Sequence, residues 1–256
     1  MSSSTVTPGS LYIGRGEVYF DRFDTNGNAT GERFVGNATK FEITTNDDIR
    51  DKFSSAESTA PLLLSVNVRR TVEVSMEFDE LDNPNVAIGL MGTETTLSQG
   101  SGTVAMGEVV TARLDKWVPT AKRNISSLVV KNAAESVTYV LGTDYKQDLV
   151  TGRIFAITGG AITDAQTLHV GYSYGVVSLP KVQAGTSNFI NGKIRFISQP
   201  ATGPQWEIEI WKVAIQPDGA IGFLADDYAS IPVKARVLAD TTNHPTEPYY
   251  QAIKRT

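Results

Sequence analysis

The sequence predicts a mainly β protein: an antiparallel β-sandwich or half-barrel with one short flanking helix, interrupted by an inserted small β domain. Three observations carry this. Segments that alternate polar and apolar residues with a period of two recur near both ends of the chain. Only one segment has a good helix start. Residues 104–174 hold several short strand patterns separated by turn signals, a spacing that suits a small sandwich of their own. The expected organisation is residues 1–97 as the first part of the main β domain, 98–178 as the insertion, and 179–256 as the second part with a C-terminal arm.

The clearest alternation runs through residues 65–78. Val66, Val68, Val72, Val74, Met76 and Phe78 take even positions, and Ser65, Asn67, Arg69, Thr71, Glu73, Ser75 and Glu77 take odd ones. At roughly 3.3 Å per residue this strand runs about 46 Å, with one face in a core and the other in water. Such a length suits a barrel or tube wall better than a small catalytic domain. Arg70 breaks the apolar face. A bulge at Arg69-Arg70 or an acid across an interface would each account for it.

Taken in order, residues 1–10 are small and polar and predict a flexible arm. Residues 11–20 read as a strand. Asn26-Gly27 marks a hairpin turn, and residues 34–44 form the return strand. Residues 45–60 show no clear alternation and read as a long loop, charged at first and then small and polar. After the long strand, Asn83 reads as an N-cap with Pro84 at the first helical position, a helix to about Leu90, and Gly92 as its stop. Residues 98–103 resemble a linker. The insertion then offers strands at 109–117, 127–131, 137–140, 153–157 and 167–174, and residues 178–185 lead back. Residues 189–198 and 205–216 are long strands, Pro217-Asp218-Gly219 turns the chain, residues 220–225 run back, and 226–240 close the region. Within 206–215 the apolar face switches, from Trp206, Ile208 and Ile210 to Trp211, Val213 and Ile215. That pattern implies a bulge or burial on both sides. Pro245 and Pro248 make the tail an extended arm.

Composition narrows the function. An apolar content of 41% and a charged content of 20% fit a folded chain. A net charge of −5 argues against a general nucleic-acid binder but suits a wall that nucleic acid slides past. Without cysteine there is no disulfide, thiolate metal site or thiol nucleophile. The opening residues lack a signal peptide's basic and apolar regions, and no apolar run approaches the ~18 residues of a membrane span. The Asn-x-Ser/Thr sequons at Asn28, Asn37 and Asn124 therefore read as chance.

Chemical motifs are scarce. His169 and His244 lack partners at ligand spacing. The acids of 77–82 do not have the spacing of a calcium loop and read as a strand end running into a capped helix. Asp226-Asp227 would point to opposite faces of a strand. Gly14-Arg-Gly16 lacks the third glycine of a dinucleotide fingerprint. No catalytic residue, metal site or cofactor is expected, and the chain reads as no enzyme. Trp117, Trp206 and Trp211 could build a sugar-binding platform, although aromatics at alternate strand positions usually anchor cores or interfaces.

The strand at 14–20, the loop leading into Leu62-Leu-Leu-Ser-Val-Asn-Val-Arg-Arg70, the Asp82-Asn-Pro-Asn-Val-Ala87 helix start and the closing 211–221 hairpin with 226–233 together resemble the major tail tube protein of long-tailed, non-contractile bacteriophages. The resemblance covers about residues 10–97 and 179–250. It implies a fold shared with the tube protein of type VI secretion, and six-membered rings that stack into a tube within the virion tail. Strands of neighbouring copies would join into a barrel around the tape-measure protein and later the DNA, which passes through at ejection. Tail terminator and tail-tip proteins would be further partners, the protein would be made in the bacterial host cytoplasm, and insertions would decorate the outside. Under this reading Arg69, Glu73, Glu77, Lys193 and Arg195, with Asn191, are lumen-lining candidates. Asp47, Asp48, Arg50, Asp51 and Lys52, together with the terminal arms, are candidates for contact between rings. Removing 47–60 would then leave a folded subunit that cannot polymerise. The competing reading is a carbohydrate- or surface-binding β-sandwich module on a phage or bacterial surface structure. A hydrolase would need two acids converging on a pocket.

Overall fold

A computed structural model describes residues 11–224, 226 and 228–255. The expected N-terminal arm, the last residue of the 220–225 run, Asp227 and the final residue lie outside these. The strands are β1 (Gly16–Arg22), β2 (Arg33–Phe34), β3 (Ala38–Phe53), β4 (Leu62–Phe78), β5 (Thr93–Gln99), β6 (Gly102–Thr111), β7 (Trp117–Pro119), β8 (Ile125–Asn132), β9 (Tyr145–Asp148), β10 (Arg153–Ala156), β11 (Thr167–Tyr174), β12 (Val177–Gln183), β13 (Ile190–Ser198), β14 (Trp206–Pro217), β15 (Ile231–Val237) and β16 (Tyr250–Lys254). One helix, α1 (Asn83–Gly89), follows β4. The fold is therefore mainly β and antiparallel, and no helix of the described residues is long and apolar enough to cross a membrane.

The chain divides into two compact units, residues 1–94 with 182–256, and residues 95–181. The division falls within the ribbon formed by β5 and β12.

In the first unit an eight-stranded sheet runs β2-β1-β13-β14-β15-β4-β3, with β16 beside β14. Alternation along each strand puts Val18, Phe20, Val74, Met76, Ile194, Ile210, Val213 and Val233 into one core, where Ile88 of α1 joins them. The sheet curls. Phe41 on its last strand stacks on Phe196 of β13 with centroids 4.8 Å apart, although β14, β15 and β4 lie between those strands in the sheet. This curl makes the half-barrel. In the second unit the sheets β6-β11-β8 and β7-β10-β9 enclose a separate core with Val110, Val130, Leu168 and Val170 on one side and Tyr145, Ile154 and Ala156 on the other.

Several expectations need correction. Residues 45–60 are not one loop, because β3 continues to Phe53 and pairs with β4 as far as Leu62, leaving only 54–61 as the connection. Both faces of this ladder are wet, so the sequence carries no alternation to read there. The alternation of 65–78 is interrupted as well. Pairing passes from Asp48–Arg69 to Ile49–Asn67, so Val68 is an extra residue in a bulge. Val66 and Leu64 then stand opposite Arg50 and Lys52, on the polar face rather than the apolar one. A second bulge explains the face switch in β14: Gly192 pairs Val213 and Ile194 pairs Ile210, leaving Trp211 and Lys212 opposite Lys193 alone.

The helix cap is Asp82, not Asn83: its carboxylate accepts the Asn85 N–H at 2.9 Å. An ionised aspartate is the stronger partner for that N–H. The linker-like 98–103 holds the end of β5 and the start of β6, and β9 was not expected. Residues 137–140 make only an isolated bridge, and the described residues of 220–225 form no strand. The tail ends as β16, paired with Trp206–Ile210 of β14, because its prolines precede the strand rather than interrupt it.

Candidate functional site

Two surfaces of the first unit stand out. The first is the polar face of the curled sheet, where alternation places Glu73 and Glu77 of β4, Lys193 and Arg195 of β13, and Glu207 and Glu209 of β14 opposite the core. Arg195 bonds Glu32 at 2.9 Å and also contacts Glu207 and Glu209. Lys193 lies 2.9 Å from Glu209 and 3.8 Å from Glu32. Burial pushes the Glu209 carboxyl up, but hydrogen bonds from Lys193 and Gln251 and the Arg195 charge outweigh it and hold it below the usual range. Glu73 accepts Lys234 at 2.7 Å, with Arg236 at 3.9 Å. Glu77 faces Lys40 across the ladder, and Arg69 faces Asp48. The lumen-lining candidates thus share one face, but Lys193 and Arg195 are half-buried members of an ion-pair network, not free charges. The face is mixed in sign and largely self-neutralised.

The second surface is an arm. β15 pairs β4 only over Val72–Phe78. Beyond that, β3 and β4 continue as a two-stranded ribbon, about 30 Å long at roughly 3.3 Å per residue. All of residues 62–71 are exposed, as is nearly all of 45–53. Ile49, Phe53, Leu62, Leu63, Leu64, Val66 and Val68 are each between 44% and 62% exposed. The outer edge of β3 and the edge of β4 over residues 62–71 have no strand neighbour among the described residues. All five ring-contact candidates lie on this arm. Asp47 is bound by Arg70, and Asp48 lies 3.6 Å from Arg50. The acid across the ladder is therefore what accounts for Arg70. The hydrogen bond from Arg70, with one from Asn67, holds Asp47 below the ordinary aspartate range. Sequence reasoning put these charges in a loop and set Val66 and Val68 on a core-facing side, so the arm and its exposed apolar residues went unseen. The signal was Leu62-Leu63-Leu64, which must put leucine on both faces of a strand.

The remaining chemical candidates have structural partners. His169 Nδ1 meets Glu135 at 3.0 Å, and His244 stacks on Trp211 with centroids 3.5 Å apart. Trp117 packs against Phe155, with the Arg153 guanidinium 5.2 Å over its ring. Asp79 accepts the Asn37 amide, and Glu80 accepts the Asn37 N–H. Among the described residues no group of three or more His, Asp or Glu side chains could hold a metal. A search of curated proteins finds no match. The model of the family described as Protein of unknown function UCP028589 matches residues 11–249, and the chain belongs to that family.

Proposed function

We propose that this chain is a structural, non-catalytic subunit that assembles with its own copies into stacked hexameric rings, forming the tail tube of a bacteriophage virion. The observation that carries this reading is the β3–β4 arm: a long ribbon with two edges unpaired among the described residues and seven half-exposed apolar side chains. Exposed edges and apolar patches of this kind invite pairing with another chain. The sheet's polar face supports the wall of an aqueous channel, because its charges are largely neutralised and would hold a passing polyanion weakly. On this reading the lumen holds the tape-measure protein and then DNA, and terminator and tip proteins close the ends.

The sugar-binding alternative draws less support, since the Trp117 ring is engaged by Phe155 and Arg153. Light scattering on the purified chain over a concentration series tests the proposal. Mass should rise in multiples of the subunit, and a constant monomer mass would refute it.

A further inference from the structure

We infer that the tip of the arm docks in the open groove between β1 and β3 of a second copy, giving a head-to-tail contact. The inference rests on the self-assembly reading above. The groove has a volume of about 490 Å3 and lies where the curled sheet brings its two ends together. Phe41, Phe196 and Ile208 give it an apolar lining, beside the charged Arg15, Lys40 and Glu42. Gly16 lets β1 lie close against β13 and the Phe196 ring, because a Cβ there would be 2.4 Å from the Ile197 carbonyl oxygen and 2.7 Å from the ring. Backbone is on offer too. Among the described residues β3 is the last strand of the sheet, while the β1 edge is partly taken: β2 pairs it at Tyr19 and Phe20, and the Val35 N–H bonds the Val18 carbonyl at 3.1 Å. An extended segment entering the groove would meet apolar side chains and the open outer edge of β3, as in strand addition.

The occupant is argued from the arm itself. Its seven half-exposed apolar side chains, at on the order of 100 Å2 each, offer about 700 Å2, close to the ~800 Å2 per partner of a stable interface. The arm cannot fill its own groove. Phe53 is 12 residues along the same strand from Phe41, about 40 Å at ~3.3 Å per residue, and the ribbon between them is held in register by β4. A tip and groove at opposite ends of one strand make a heterologous contact, which closes into rings or runs on as a filament.

Because the chain has no cysteine, single introduced thiols report the contact cleanly. Leu64→Cys at the tip and Thr39→Cys at the groove are both exposed positions. The two variants would be purified separately, mixed, and oxidised with diamide, which takes up the two electrons released as the S–S bond forms. The expected result is a disulfide-linked dimer in the mixture and in neither variant alone. Assemblies by light scattering without the mixed disulfide, or with only like-with-like dimers, would overturn this inference and leave the tube reading standing. Monomer mass throughout would overturn both.

Discussion

Arg70 stands directly across the β3–β4 ladder from Asp47 and clasps its carboxylate with two nitrogens, Nε at 2.8 Å and Nη2 at 2.9 Å. The pair sits where the arm leaves the core, one step beyond Thr45 and Val72 on the same face. It turns a charge on an apolar face into a rivet at the root of the ribbon. Arg70→Ala should leave global stability almost unchanged, as for exposed ion pairs. It should nonetheless speed amide exchange over residues 46–52. Unchanged exchange there would show that the clasp does not order the arm.

The same pair fixes a pH dependence. The folded-state value of Asp47 lies below its ordinary 3.8. The stabilisation is therefore fully present above about pH 3.8 and is lost as pH falls through the lower value. NMR titration of the Asp47 carboxyl carbon should give a midpoint below 3.8, moving up toward it in Arg70→Ala. Identical midpoints in the two proteins would contradict the assignment.

The apolar tip should matter to assembly and not to folding. Leu64→Asp and Val66→Asp change exposed positions, so the thermal midpoint should move little while assembly falls at least tenfold at a given concentration. Removing residues 46–71 and closing the ladder with a two-residue turn should do the same. Deleting 47–60 alone is a poorer test, because it would leave residues 62–70 of β4 without their partner strand.

The helix cap offers a stability test. Asp82→Ala removes the acceptor for the Asn85 N–H and the 3.2 Å partner of Arg33. A loss of about 0.5–2 kcal/mol is expected, a fall of about 2–4 °C per kcal/mol in the midpoint of a unit this size. Asp82→Asn should recover most of it. No change in Asp82→Ala would place the capping elsewhere.

The insertion should be dispensable to the proposed assembly. It holds its own core, and β5 and β12 pair as a ribbon at its ends. Replacing residues 100–176 with a short Gly-Ser turn should give a folded subunit that still associates. Association lost on this replacement, with folding intact by circular dichroism, would assign the insertion a role in the contact.

Much of the fold was legible because one face of most strands is dry. Residues 72–78, 167–174 and 190–198 alternate in sequence; the last two strands match expectation to within a residue, and β4 stops at Phe78 as expected but starts three residues early. Legibility failed where that rule fails. Residues 45–53 are wet on both sides, so nothing in their pattern separates strand from loop. The bulges at Val68 and at Trp211–Lys212 shift the alternation by one residue, which reads in sequence as an interruption or a change of face. The charges at 47–52 and 193–195 were visible, but apart from Asp48 and Arg50 the pairs they make reach far along the sequence or across a ladder, as with Asp47 and Arg70, Lys193 and Glu209, or Arg195 and Glu32. Spacing alone could not supply those pairs.

Negative-stain electron microscopy of the concentrated protein, beside Leu64→Asp at the same concentration, tests the central claim most directly. The account predicts rings or tubes with a central channel for the unaltered chain and dispersed particles for the variant. Dispersed single subunits in both samples, at every concentration reached, would contradict it.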